Sequence, residues 1–368
     1  MATSPEPVII VGGGQSGLAA ARAALSVGLR PVVLEAGVET VGSWPDYYDS
    51  LTLFSPARYS ALPGTAFGGS DPDRYPARDE VVAYLRRYAG SLDVDIRTGV
   101  CVTAVHPRGT GYLVRTDTGD EIPAAGVIAA SGSFGNPHLP ELPGREEYAG
   151  EVRHVAHYRR PEPYAGKRVI VVGAGNSAVQ VAHELVSYAS VTLATRAPIQ
   201  FVPQRIRGRD LHYWLHVTGA DRLPRAVLTR LVRHAAVLDT GVYREAIASG
   251  LLARREMFTA FTSDGVVWAN GSFEAVDAVI FATGYRPNLD YLAPLETLER
   301  GVPRQVAGVS TTHPGLVYLG LEFQRSFSSN TLRGVGRDAA HVVADLAEGV
   351  SGATRRRRWL TERLPVRR

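Results

Sequence analysis

The chain has 368 residues, enough for two domains, with 45% hydrophobic and 21% charged residues, the balance of an ordinary globular protein. A net charge of +4 is too mild to argue for a nucleic-acid partner, and no apolar run approaches the ~20 residues of a membrane span. The single cysteine, Cys101, excludes any internal disulfide and any thiol–disulfide reductase that works through a cysteine pair.

From the N-terminus, Met1 to Pro7 is too short and polar for a signal peptide, and a reducing cytoplasm is the expected setting. Val8 to Val11 is a short apolar run ending at glycine, which predicts a buried parallel strand. Ser16 to Val27 is alanine-rich with helical spacing, and Pro31 to Leu34 predicts a second strand ending at Glu35. The turn between them reads Gly-Gly-Gly-Gln-Ser-Gly, with Gly12, Gly14 and Gly17 in the places of a G-x-G-x-x-G dinucleotide-binding turn. Trp44 to Gly69 predicts loop, Arg78 to Tyr88 a helix, and Asp95 to His106 and Gly111 to Asp117 strands joined at Pro107 to Gly109. Gly126 to Ser131 predicts a buried strand stopping at Gly132, and the proline-marked stretch Phe134 to Pro163 a crossing between domains.

The opening pattern then repeats. Val169 to Val172, Asn176 to Tyr188 and Val191 to Ala194 form a second βαβ unit around Gly173, Gly175 and Ala178. Lys167, the only lysine, merely precedes this unit, so lysine chemistry elsewhere is excluded. A helix is expected over Pro224 to Val237, a strand over Ala278 to Ala282, loop and hairpin over Gly301 to Val317, a strand over Val317 to Leu321, and a closing helix over Gly336 to Ala347. The basic tail Arg355 to Arg358 with Trp359 reads as a solvated helix end, with contact to nucleic acid or a membrane as the alternative.

The two turns differ downstream. Glu35 lies 23 residues after Gly12, and Arg196 lies 23 residues after Gly173. An acid accepts hydrogen bonds from ribose hydroxyls, whereas an arginine accommodates a 2′-phosphate. One bare and one phosphorylated dinucleotide fit FAD and NADPH. The expected FAD contacts are Gly12, Gly14, Gln15, Ser16, Gly17, Glu35, Ala36, Ser43, Trp44, Val102, Ser131 and Gly132. The expected NADPH contacts are Gly173, Gly175, Asn176, Ser177 and Arg196, with Arg205, Arg207 and Arg209 near enough in sequence to share the phosphate, and Thr283 and Gly284 are expected to contact a cofactor. Val-Ile-Ala-Ala-Ser-Gly ending at Gly132 and Val-Ile-Phe-Ala-Thr-Gly ending at Gly284 are matching strand ends, read either as close passes to a cofactor or as recurring tight turns. The ten histidines lack zinc-ligand spacing, so no metal is expected, and no nucleophile motif appears.

Tyr148-Ala-Gly-Glu-Val-Arg-His154-Val-Ala-His-Tyr158 resembles the F-x-G-x-x-x-H-x-x-x-[WFY] fingerprint of class B flavin monooxygenases, with Tyr148 in place of Phe. Gly42-Ser-Trp44, Leu51 to Pro56, Leu62-Pro63, Tyr75 to Arg78 and Phe281-Ala-Thr-Gly-Tyr285 are similar to the same superfamily, including plant auxin-forming members. Phe54 to Ser60, Gly320 to Phe327 and Leu332 to Gly336 are similar to small members from bacterial arsenic-resistance operons. The resemblance implies an α/β fold of two Rossmann-like domains on the glutathione/thioredoxin reductase plan. Residues 1–160 and 281–368 would bind FAD, with an inserted domain at 161–280 for NADPH. It also implies oxygen transfer to a small-molecule substrate from O₂ through a C4a-(hydro)peroxyflavin; an NADPH oxidase without insertion is the alternative. His154, Asn176 and Gln324 are the candidate catalytic residues, and no partner beyond substrate and O₂ is implied. Trp44, Tyr47, Tyr48, Phe54 and Tyr59 either line the flavin side or pack their loop. The asparagine that N- and S-oxygenating members carry near the Phe54 and Ser55 positions is missing.

Overall fold

The structure, a computed structural model, describes residues 6–223, 227 and 236–350. The basic tail therefore lies outside the described residues, as does most of the helix expected over 224–237. Of that stretch, Val227 is helical, and Ala236 and Val237 open the strand Ala236–Asp239 instead.

Two sheets organise the chain. The first has seven strands, in the order Gln305–Val306, Val309–Ser310, Leu316–Tyr318, Gly126–Ala129, Val8–Val11, Pro31–Glu35 and Asp95–Thr98. Its last five strands run parallel. The second has five parallel strands, Ala253–Glu256, Ser190–Thr195, Arg168–Val172, Ala278–Phe281 and Glu151–His154. The central strands Val8–Val11, Gly126–Ala129 and Ala278–Phe281 are buried throughout, which is why they read as unbroken apolar runs rather than alternating ones.

The duplication runs deeper than the βαβ units. Each unit also carries a three-stranded antiparallel meander, Val102–Arg108, Gly111–Thr116 and Glu121–Ala124 in one, Phe258–Phe261, Gly265–Trp268 and Phe273–Ala275 in the other. Each meander feeds directly into the strand that passes its glycine turn, Gly126–Ala129 or Ala278–Phe281. The helix Gln15–Ser26 buries Leu18, Ala19, Ala20, Ala21 and Ala24 in a core shared with Val335, Ala339, Val342 and Val343 of the closing helix Leu332–Val350.

Three expectations are corrected. Asp95 to His106 is two strands in two sheets: at Gly99, φ +67°, the chain leaves the parallel sheet, its amide bonding Gly37 O. The crossing Phe134 to Pro163 contains the strand Glu151–His154, so the passage between sheets is complete by residue 151 rather than at 160–161. It is an edge strand with only His154 fully buried, which is why no apolar run announced it. The closing helix starts at Leu332, a turn before Gly336. Gly334 and Gly336 are close-packing positions and not breakers: a Cβ would come 2.0 Å from Ser328 O at the first and 2.1 Å from Pro63 at the second. Among the described residues no helix is long and apolar enough to cross a membrane.

Candidate functional site

The first glycine turn sits where the strand Val8–Val11 hands over to the helix Gln15–Ser26. Gly12 has φ +101°, and a Cβ there would lie 2.6 Å from Ala130 O, at the end of the neighbouring strand. Gly17 faces back on the same turn, where a Cβ would stand 1.8 Å from Gly12 O. These contacts admit only glycine, and they aim the helix start at open space. The N-cap residue Gly14 gives no side-chain cap, so the first amides of the helix and its positive end are left for an anion. Glu35 closes the other side. Its Oε2 accepts from Gly13 N–H at 2.5 Å and its Oε1 from Gly37 N–H at 2.7 Å, which fixes the carboxylate while leaving lone pairs for ribose hydroxyls.

Around this turn lies a cavity of about 640 Å³, within the usual range for small-molecule and cofactor clefts. Gly12, Gly14, Gln15, Ser16, Glu35, Ala36, Ser43, Trp44, Val102, Ser131 and Gly132 all line it. Gly17 does not; it packs beneath the turn. A pyrophosphate cradle, a fixed acid and a cleft lined by both fit a flavin dinucleotide. The amide oxygen of Gln15 accepts from Trp44 Nε1 at 3.2 Å, and its amide nitrogen donates to Asn330 O at 2.8 Å, tying the turn to the start of the closing helix.

Of the loop aromatics, Trp44, Tyr47 and Phe54 line the cavity. Tyr48 does not: it is buried in the second unit's core with its hydroxyl on Gln180 Oε1. Tyr59 faces His212 and His216 instead. Sequence reasoning missed Phe134, Asn288, Tyr291 and Asn330. Phe134 follows closely on Ser131-Gly132, the available signal for it; the others come from chain far from either turn. Burial raises the Tyr47 phenol to about 12, so it stays protonated. Cys101 is exposed at the cavity edge without a second sulfur.

The second turn repeats the first with changes. Gly173, φ +141°, would place a Cβ 2.4 Å from Ala282 O, the counterpart of the Gly12–Ala130 contact. Ala178 replaces the third glycine, and its Cβ sits 3.1 Å from where a Gly173 Cβ would be. At Gly175 a Cβ would meet nothing within 4 Å, so this backbone is open to a ligand. Asn176 Oδ1 accepts from Leu238 N–H at 3.0 Å, leaving its amide nitrogen as a donor, and Ser177 lies beside the Tyr48 hydroxyl.

Strand register changes the meaning of the equal spacing. Val11 pairs with Leu34, and Val172 pairs with Ala194. The residue matching Glu35 is therefore Thr195, and Arg196 matches Ala36, because the second unit is one residue shorter between its strands. Thr195 Oγ1 accepts from Arg254 Nε at 2.8 Å. Arg196 is exposed just past the strand end, with no side-chain hydrogen bond or ion pair among the described residues. Arg205 lies beside the Tyr75 hydroxyl and Arg209 over the Tyr213 ring, so the neighbouring hairpin engages these two locally.

The fingerprint segment is a strap. Tyr148 Oη donates to Val276 O at 2.9 Å, and its ring crosses Gly150, where a Cβ would stand 2.2 Å from that hydroxyl. Tyr158 Oη donates to Glu184 Oε2 at 2.7 Å. His154 is buried, its Nδ1 accepting from Ala156 N–H at 3.1 Å, so its Nε2–H donates to Gly284 O at 3.1 Å. Burial lowers its pKa to about 4 and keeps it neutral. Both ring nitrogens are spent on backbone, which makes His154 the support of the Thr283-Gly284 strand end. Thr283 itself donates to His138 O. Gln324 is likewise buried and engaged, donating to Tyr318 O at 3.0 Å and accepting from Leu321 N–H at 3.3 Å, and it does not line the cavity. Phe134 joins the two sites: its ring lies 4.5 Å from Tyr47 and 5.3 Å from Tyr285, which meets His154 edge-on at 4.9 Å. No cluster of three or more metal-ligating side chains occurs among the described residues.

Residues 9–320 match the pyridine nucleotide-disulphide oxidoreductase family. The chain belongs to that family. It is 32% identical over 314 residues to the indole-3-pyruvate monooxygenase YUCCA1 of Oryza sativa subsp. japonica, covering 76% of this chain and 77% of that protein. It is 29% identical over 346 residues to an uncharacterized oxidoreductase CzcO-like of Geobacillus kaustophilus, covering 92% of this chain and 97% of that protein. The flavin-containing monooxygenase from Stenotrophomonas maltophilia has the same fold, with a TM-score of 0.79 and 32% identity over 94% of this chain and 99% of that one. The resemblance to class B flavin monooxygenases and the two-domain dinucleotide-binding plan stand with these relatives. FAD and NADPH are the cofactors of this group, as the two turns imply. The chain is an oxidoreductase.

Proposed function

We propose that the protein is an NADPH-dependent FAD monooxygenase that inserts one oxygen atom of O₂ into a small-molecule substrate in the cytoplasm. The observation that carries this reading is the pairing of an acid-bearing cavity at the first glycine turn with a second, half-buried glycine turn whose neighbouring strand ends at the exposed Arg196, joined by the aromatic contact of Tyr47, Phe134 and Tyr285. When bound, FAD would supply the redox chemistry, as acceptor of a hydride from NADPH and donor of electrons to O₂.

The chain's own residues bind, orient and shield. Glu35 and the amides at the start of the helix Gln15–Ser26 hold the FAD ribose and pyrophosphate. Gly175, Asn176 and Ser177 hold the NADPH pyrophosphate, and Arg196 takes the 2′-phosphate. His154 fixes Gly284, and with it the close pass beside Gly173. Trp44, Tyr47 and Phe134 line the cavity and would shield the bound flavin from water along their wall.

The test is a balance of NADPH, O₂, hydrogen peroxide and product. It is run on purified protein against amine, thioether and carbonyl compounds, the indole-3-pyruvate of the rice relative among them. Product equal to NADPH consumed, with label from ¹⁸O₂, is the expected result for one substrate class. Peroxide equal to NADPH with every compound would show the oxidase instead.

A further inference from the structure

One buried cluster is not used by the reading above. Asp210, the N-cap of the helix Leu211–Thr218, receives four hydrogen bonds. Its Oδ1 accepts from His212 N–H at 2.7 Å and His212 Nδ1 at 2.8 Å. Its Oδ2 accepts from Tyr75 Oη at 2.5 Å and Gln204 Nε2 at 2.8 Å. Despite burial, these donors hold the carboxyl down at about 2, so it is an acceptor only and His212 must be the donor at Nδ1. The Gln204 amide nitrogen also donates to Phe54 O at 2.9 Å, and Phe54 lines the flavin cavity. The His212 ring stacks 6.0 Å from Phe54 and 6.5 Å from Tyr59.

These partners come from opposite halves. Phe54, Tyr59 and Tyr75 lie between the strand Pro31–Glu35 and the helix Arg78–Gly90, whereas Gln204, Asp210 and His212 follow the strand Ser190–Thr195 of the other sheet. Gln204 is fixed in turn by backbone bonds to Asp239 and Leu211, each 2.8 Å. On the far side, Asp221 ties the same segment to Arg333 at 2.9 Å and Arg337 at 3.4 Å, on the closing helix whose first residue, Leu332, also lines the cavity. The segment Gln204 to Asp221 thus grips both Phe54 and the closing helix.

We infer that Gln204 and Asp210 are positioning residues that hold the Phe54 wall of the flavin cavity in place from the NADPH-side unit. Ser55 and Ser60 bond each other at 2.8 Å within the loop, so the loop keeps its own shape; what Gln204 adds is its placement against the cavity. In this chain the placement of this wall comes from across the cleft. The inference rests on FAD occupying the cavity and not on oxygen insertion, so it survives if the protein proves to be an oxidase.

The test uses flavin-loaded protein. Gln204→Leu removes the donor to Phe54 O and one donor to Asp210, and Tyr75→Phe, the control for the second loss, removes one donor to Asp210 while leaving the Phe54 bond. Acrylamide quenching of the bound flavin's fluorescence reads access through the wall; anaerobic flavin reduction by NADPH reads the cofactor geometry. We expect Gln204→Leu to raise the quenching constant about fivefold, the scale of one lost hydrogen bond, with Tyr75→Phe changing it less than about twofold. Flavin reduction should stay near that of the parent protein, and the melting temperature should fall in Gln204→Leu by only a few degrees, the scale of the lost hydrogen bonds. Unchanged quenching in Gln204→Leu overturns the inference. So does a rise in quenching that tracks a fall in reduction rate and melting temperature, since that is general loosening. Should Gln204→Leu not fold, Gln204→Asn, which keeps the amide and shortens its reach, is read by the same criteria.

Discussion

The two halves of this chain are the same device built twice, and their differences assign their jobs. Each has a buried strand, a glycine turn, a helix, a second strand and a meander leading to a strand whose end presses on the first glycine. Gly12 meets Ala130 O as Gly173 meets Ala282 O. At the first turn Glu35 is buried and bonded to two backbone amides, and chain from far away in sequence lines the cavity around it. The second turn is open at Gly175 and flanked by an exposed arginine. A tightly held, resident cofactor suits the first; a dinucleotide that arrives and leaves suits the second.

The third position of each turn offers the sharpest way to break the comparison. Gly17→Ala would put a methyl group 1.8 Å from Gly12 O, and we expect protein that retains no flavin. Ala178→Gly should cost only about 0.5–1 kcal/mol of stability, from added backbone freedom in the helix, and leave the protein yellow. Visible absorbance and thermal melts of the two variants check this.

Most of the comparison was legible in the sequence. Four-residue apolar strands, glycine spacing and helical alanines are local signals, and they placed both turns. What was not legible depended on register and on distant chain. Counting 23 residues made Glu35 and Arg196 look equivalent, yet strand pairing aligns Glu35 with Thr195. Asn288, Tyr291 and Asn330 reach the cavity only because of the sheet order. His154 was visible through its motif, but its role in bonding two backbone groups required the fold.

Glu35→Gln removes the charge from a carboxylate that accepts two backbone amides. FAD affinity should fall about 10- to 100-fold, the scale of charge-assisted hydrogen bonds. Thr195→Val, at the matching position, should leave FAD affinity unchanged. Titration of apoprotein with FAD, followed by fluorescence, separates the two outcomes.

Smaller again is the effect of pH through His154. Its pKa is lowered to about 4 in the folded protein, below its ordinary value of 6.5. The unfolded chain therefore binds the proton more readily, so this stability is present above 6.5 and lost as pH falls towards 4. The melting temperature should drop across that window, and His154→Gln should flatten that part of the profile while lowering stability at neutral pH.

The central claim is that the second turn delivers hydride from NADPH to a flavin in the first. Anaerobic stopped-flow reduction of the bound flavin by NADPH and by NADH, in the parent protein and in Arg196→Ala, tests it most directly. The account predicts faster bleaching with NADPH, and an Arg196→Ala variant that needs about tenfold more NADPH for half-maximal rate while its response to NADH is unchanged. Equal use of the two nucleotides by the parent protein, or an Arg196→Ala variant that behaves like it, would contradict the assignment of NADPH to this turn.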